Sequence, residues 1–129
     1  MGGVGTGGVL PDYLALAVDG GVVGLWFDTT GDEVYGIGDR LYDLHVSAYM
    51  TGYNWARLVD YFIDSRDPGV RAGMRVDARP GGFTALWEDT AANRARAERL
   101  AGLIREVVSD PEALCRFVVE EPDAVDWEG

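Results

Sequence analysis

The spacing of apolar positions along this chain changes from one stretch to the next, and each spacing predicts an element. From Tyr13 to Asp28 apolar residues alternate on both sides of Gly20-Gly21, which predicts a β-hairpin turning at the two glycines. Folding the run about that turn pairs Val18 with Val23, Leu16 with Leu25 and Leu14 with Phe27 on a core face. The other face pairs Ala17 with Gly24, Ala15 with Trp26 and Tyr13 with Asp28. Trp26 there either lies flat on the sheet or meets a partner. Residues 29–33 read as a polar turn and residues 34–44 as irregular. Residues 45–50 alternate again, with Val46, Ala48 and Met50 opposite His45, Ser47 and Tyr49, so a third strand is expected.

The period then lengthens. Trp55, Leu58, Val59, Phe62 and Ile63 recur at i, i+3, i+4, i+7 and i+8, the stripe of an amphipathic helix. Asn54 is the expected N-cap, which puts Tyr53 and Leu58 at the two positions of a hydrophobic staple, with Gly52 allowing the bend into the helix. The aromatics of this stretch therefore have a structural task first, because each buried stripe residue contributes roughly 1.5–3 kcal/mol.

A second hairpin follows. Met74, Val76 and Ala78 face Phe83, Ala85 and Trp87 across Pro80-Gly81, a pair suited to a type II turn. A long helix starts near Asp89 or Thr90 and buries Ala97, Leu100, Ala101, Ile104, Val107 and Val108. Asp110 caps a last helix with Pro111 at its first position, Glu112 favouring its dipole, and a stripe of Leu114, Phe117 and Val118. The order β-β-β-α-β-β-α-α describes an α+β domain: an antiparallel sheet of about five strands (two hairpins plus one strand) covered by three helices. That domain spans residues 10–120, between a flexible glycine-rich leader (1–9) and a loosely ordered acidic tail (121–129).

Composition narrows the function. With 129 residues the chain suits one domain, and its hydrophobic fraction of 47% supports a packed core. No apolar run approaches the ~20 residues of a membrane helix, and the leader lacks the charge and apolar core of a secretory signal. The single cysteine, Cys115, suits a reducing cytoplasm. All eleven bases are arginines, so lysine-dependent phosphate cradles and Schiff bases are excluded. The net charge is −11. Asp12, Asp19, Asp28, Asp32, Glu33, Asp39 and Asp43 stand against Arg40 alone in the first 56 residues, and five more acids crowd residues 120–129. Such patches repel nucleic acid and attract cationic partners, although they also serve solubility alone.

Catalytic equipment is sparse. Gly3, Gly5 and Gly8 match a dinucleotide-binding spacing but lack the preceding strand that the motif requires. Cys115 lies beside a helix stripe, as a small core residue does. Asp39, Asp43 and His45 are close enough in sequence for acid–base work or for holding a divalent ion. No cofactor is indicated.

Two segments carry a resemblance. Gly52-Tyr53-Asn54-Trp55, opening a helix that continues Leu58, Tyr61, Phe62, resembles the N-G-Y-D-W segment of the bacterial immunity protein 51 family. Residues 77–85 are similar to that family's D-P-E-A-G-M-F-x-A segment, with Asp77, Gly81, Phe83 and Ala85 in register. Thr51 replaces the leading Asn, Asn54 the Asp, Ala78 the Pro, Arg79 the Glu, Pro80 the Ala and Gly82 the Met. The likeness covers roughly residues 45–108. It implies a non-enzymatic cytoplasmic protein that binds and neutralises a cognate toxin domain, and the acidic charge pattern is compatible with a basic one. The expected toxin-binding residues are Asp28, Asp32, Glu33, Tyr35, Asp39, Tyr42 and Asp43, where acids meet tyrosines outside the core stripes. Gly52, Tyr53, Asn54, Trp55, Asp77, Gly81 and Phe83 are expected to be mainly structural. A small enzyme centred on Asp39, Asp43 and His45, or a general interaction module, are the alternatives.

Overall fold

The computed structural model describes residues 9–128. The Gly3, Gly5, Gly8 pattern and almost all of the leader lie outside the described residues. Strands β1 (Leu14–Asp19) and β2 (Val22–Asp28) form the first hairpin in the expected register, from Leu14 opposite Phe27 to Val18 opposite Val23. Gly20 and Gly21 take φ of 60° and 80°, the pair of positive values that a type I′ turn needs and only glycine adopts freely. Strands β3 (Arg75–Arg79) and β4 (Gly82–Glu88) form the second hairpin, and β4 lies antiparallel to β2. The sheet order is β1-β2-β4-β3.

Four α-helices complete the described domain: α1 (Asp32–Leu44), α2 (Gly52–Arg66), α3 (Ala91–Ser109) and α4 (Pro111–Glu120). The core lies against one sheet face, where Leu14, Val23, Leu25, Phe27, Phe83, Ala85 and Trp87 are buried with the helix stripes. All five apolar positions expected on α2 and all six on α3 are buried, as are Leu114 and Val118 of α4. Thr90 and Asp110 cap α3 and α4, accepting from the backbone N–H of Asn93 and Ala113. The other sheet face carries Trp26, and its ring is covered by the chain itself: the Arg79 guanidinium stacks 5.1 Å from the ring centroid.

The α+β class and the antiparallel sheet hold, but the element count among the described residues is corrected to four strands and four α-helices. The expected strand at 45–50 is a turn. Ala48 is buried while Val46, on the same side of the alternation, is 75% exposed. The carbonyls of Ser47 and Tyr49, which a strand would give to a neighbour, accept instead from the Asn54 amide nitrogen at 3.5 and 2.9 Å. The stretch expected to be irregular is α1. Its stripe is Val34, Ile37, Gly38 and Leu41, a helical spacing disguised by a glycine at one of its four positions. The Pro80-Gly81 turn is not type II, because the positive φ falls on Gly82 and not on Gly81.

The cap of α2 is also corrected. Thr51 is the N-cap, accepting from the Asn54 N–H at 3.4 Å, so the staple positions move to Met50 and Trp55. Gly52 opens the helix against the second hairpin. Its N–H donates to the Pro80 carbonyl at 2.8 Å, and a β-carbon there would collide with the Arg79 carbonyl and the Gly82 backbone. The two family-like segments thus meet at one point of the fold.

Asn54 is buried and binds the far end of the chain. Its Oδ1 accepts from the Glu128 N–H at 2.6 Å and its Nδ2 donates to the Glu128 carbonyl at 3.2 Å. Val125 is buried, Asp126 pairs with Arg57 at 2.9 Å, and the Trp127 ring meets His45 edge to face at 6.5 Å. The expected loose tail is therefore corrected for residues 121–128, which are held against α2.

Candidate interaction surface

Helix α1 sets out the predicted surface residues by their rotation about its axis. Val34, Ile37, Gly38 and Leu41 turn inward. Tyr35, Asp39 and Tyr42 then fall on one flank, Asp32 and Asp43 on the outward crest, and Glu33 on the opposite flank. The 45–50 turn carries Tyr49 back beside the first flank. The Tyr42 and Tyr49 rings lie 5.2 Å apart at 53°. Tyr35, Tyr42 and Tyr49 are 60%, 43% and 62% exposed. All three border one cleft of about 210 Å³ with Asp39, Met50, Thr51 and Pro80.

This cleft has a floor set by packing. Gly38 brings α1 against Met50, to which an added β-carbon would lie only 3.0 Å away. Beneath them Trp55 is fully buried, edge-on to Phe27 at 5.6 Å, and its indole N–H has no partner. The sequence reading found Tyr35, Asp39 and Tyr42 but placed Tyr49 on a strand and left Met50, Thr51 and Pro80 out. Nothing local marks them, because the turn and the second hairpin bring them there.

Asp28, Asp32 and Glu33 border a separate hollow of about 350 Å³ with Asp12 and Tyr13. Asp28 already has a task, since its Oδ1 accepts from the backbone N–H and the hydroxyl of Thr30 at 2.9 and 2.6 Å and so shapes the turn into α1. The Tyr13 phenol is pushed above its ordinary value by burial, and next by the Glu33 charge. The seven expected residues thus divide between two adjoining hollows and the crest of α1.

The electrostatics are one-sided. Among the described residues none of the seven carboxylates from Asp12 to Asp43 lies in an ion pair. The one base of that region, Arg40, turns to α4 and binds Glu112 at 2.7 Å. Several arginines elsewhere are committed to their own neighbours, Arg71 to Asp60 and Asp64, Arg94 to Asp89 and Arg99 to Asp67, whereas Arg105 borders a hollow with Glu33 and Tyr13 without forming an ion pair among the described residues. The carboxylates of α1 are thus left without ion-pair partners among the described residues.

Among the described residues no group of three or more His, Cys, Asp or Glu side chains is placed to hold a metal ion, so Asp39, Asp43 and His45 do not converge as one. His45 faces Trp127, and its Nδ1 accepts from the Ser47 N–H at 3.3 Å. Cys115 is half-buried on α4. No described helix is long and apolar enough to cross a membrane. Of the residues expected to be structural, Trp55, Phe83, Asn54 and Gly52 are buried, while Asp77 pairs with Arg79 at 2.9 Å on the sheet's outer face. Comparison with protein-family models, curated proteins and solved structures finds no match.

Proposed function

We propose that the chain is an immunity protein that binds a cognate toxin domain in the cytoplasm and neutralises it by occupying its surface, without turnover of its own. The observation that carries this reading is the α1 face, where three exposed tyrosines stand among unpaired carboxylates. Tyrosine suits an interface because a rigid ring fills a pocket at small entropic cost. Unpaired acids around it raise the rate at which a basic partner arrives. The likeness of Gly52-Tyr53-Asn54-Trp55 and of residues 77–85 to the immunity protein 51 family supports the same reading, and the contact of Gly52 with Pro80 gives both segments one structural use.

The tail competes poorly as the binding surface. Its only aromatic, Trp127, donates its indole N–H to the Pro122 carbonyl at 3.0 Å and packs on His45. The test is co-expression with the protein encoded by the adjacent gene. A toxin domain there should be lethal alone, tolerated with this chain, and copurify with it. A lethal adjacent domain that neither copurifies nor loses toxicity would refute the assignment.

A further inference from the structure

We infer that the cleft between α1 and the 45–50 turn is a receptor for a single arginine side chain projecting from the partner. This rests on the immunity reading above and names the contact that would make it specific. Three features of the cleft select the occupant. Its lining includes Tyr35, Tyr42 and Tyr49, and tyrosine rings attract a cation through their faces. Its rim carries Asp39, a carboxylate with no ion-pair partner among the described residues. Among the described residues no basic side chain borders it, so none of them fills the place of the cation.

Size decides between ligand classes. A volume of about 210 Å³ falls below the ~300–1,000 Å³ of sites that enclose small molecules, and suits one inserted side chain. Arginine fits better than lysine. Its planar, weakly hydrated guanidinium stacks on rings while its N–H fork meets a carboxylate edge-on, and the cleft offers both kinds of wall together. The surrounding charge agrees, because Asp32 and Asp43 on the crest of α1 hold the same sign of potential outside the cleft.

The probe is a short blocked peptide, acetyl-Gly-Arg-Gly-amide, titrated into the intact protein and followed by NMR shifts of the tyrosine ring protons, with citrulline and lysine peptides in parallel. No toxin is needed, so the outcome is independent of whether the adjacent gene encodes one. Saturable shifts should appear on Tyr35, Tyr42 and Tyr49 with the arginine peptide, weaken about fivefold with lysine, and vanish with citrulline. Tyr42→Ala and Asp39→Asn should each weaken binding about fivefold or more, whereas Tyr42→Phe, which keeps the ring, should retain it. Unchanged amide spectra away from the cleft establish that the variants fold. Equal response to citrulline, or no saturable shift at the three rings, overturns the inference.

Discussion

At the scale of single residues, the stretch around Trp55 shows how one side chain can do two jobs that sequence order separates. Asn54 stands in the first turn of α2, yet its amide closes the 45–50 turn and holds Glu128, 74 residues away. Asn54→Ala removes these bonds and leaves the Glu128 N–H without its partner, at about 1–3 kcal/mol, while the Tyr49 carbonyl keeps the Thr51 N–H. The variant should lower the denaturant midpoint and speed amide exchange in the tail, while α3 and α4 keep their protection. Unchanged exchange at residues 125–128 would contradict the clasp. Trp55→Ala should cost more, about 3–5 kcal/mol, because the whole buried ring is lost.

Asparagine capping was a sound expectation from type and position, but Thr51, three residues earlier, is also a favoured cap residue. The choice between them is made by Gly52. Only a helix beginning at Gly52 sets its bare α-carbon against the Arg79–Gly82 turn, a contact that no local pattern encodes.

At the scale of elements, the sequence was legible where spacing and punctuation agreed. Both hairpins, α3 and α4 combine a clean period with a glycine, proline or polar residue at the end, and all four form where expected. Helix α1 hid because two glycines, Gly36 and Gly38, weaken its helical character by roughly 1 kcal/mol each against alanine. The two have opposite environments. A β-carbon at Gly36 meets nothing within 4 Å, whereas at Gly38 it would press on Met50. Gly36→Ala should therefore raise stability by about 0.5–1 kcal/mol in a thermal or denaturant melt. Gly52→Ala should do the reverse and cost above about 3 kcal/mol, since backbone atoms stand where its β-carbon must go. A neutral Gly52→Ala melt would mean that α2 does not dock on the second hairpin in this way.

At the scale of the whole molecule, carboxylates divide into those held in ion pairs and those left free of them among the described residues. Paired carboxylates respond to acid. Hydrogen bonds from Arg99 and Arg94 hold the Asp67 and Asp89 carboxyls below the usual range. A folded-state pKa lowered in this way contributes stability above the unfolded value, near ~4, that is lost as pH falls through the folded value. Acid also relieves the self-repulsion of a −11 chain, so the pairs are isolated by comparison: Asp67→Asn/Asp89→Asn should show a flatter loss of stability below pH ~4 than the parent. Burial of Tyr13 works at the other end. Its raised pKa gives a contribution present below the unfolded value and lost as pH climbs past about 10.

On the proposed reading, the unpaired carboxylates of the α1 face serve association instead. The asymmetry of charge was visible in the sequence, because the count of acids needs no fold. The gathering of Tyr49, Met50, Thr51 and Pro80 beside Tyr35 and Tyr42 was not, since it depends on a turn that reads as a strand. The docked tail was hidden in the same way: its acids suggest a loose segment, and only the Asn54 clasp and buried Val125 fasten it. Removal of residues 121–128 should accordingly lower thermal stability while leaving the α1 face intact.

The most direct test of that face is the association rate of this protein with the proposed toxin partner across a series of salt concentrations, for the parent and for the Asp32→Asn/Glu33→Gln/Asp39→Asn/Asp43→Asn variant. Electrostatic steering through α1 predicts a parent rate that falls steeply as salt screens the charges, and a variant rate that is slower at low salt and nearly flat. Parallel curves of equal height for the two proteins would place the binding surface elsewhere.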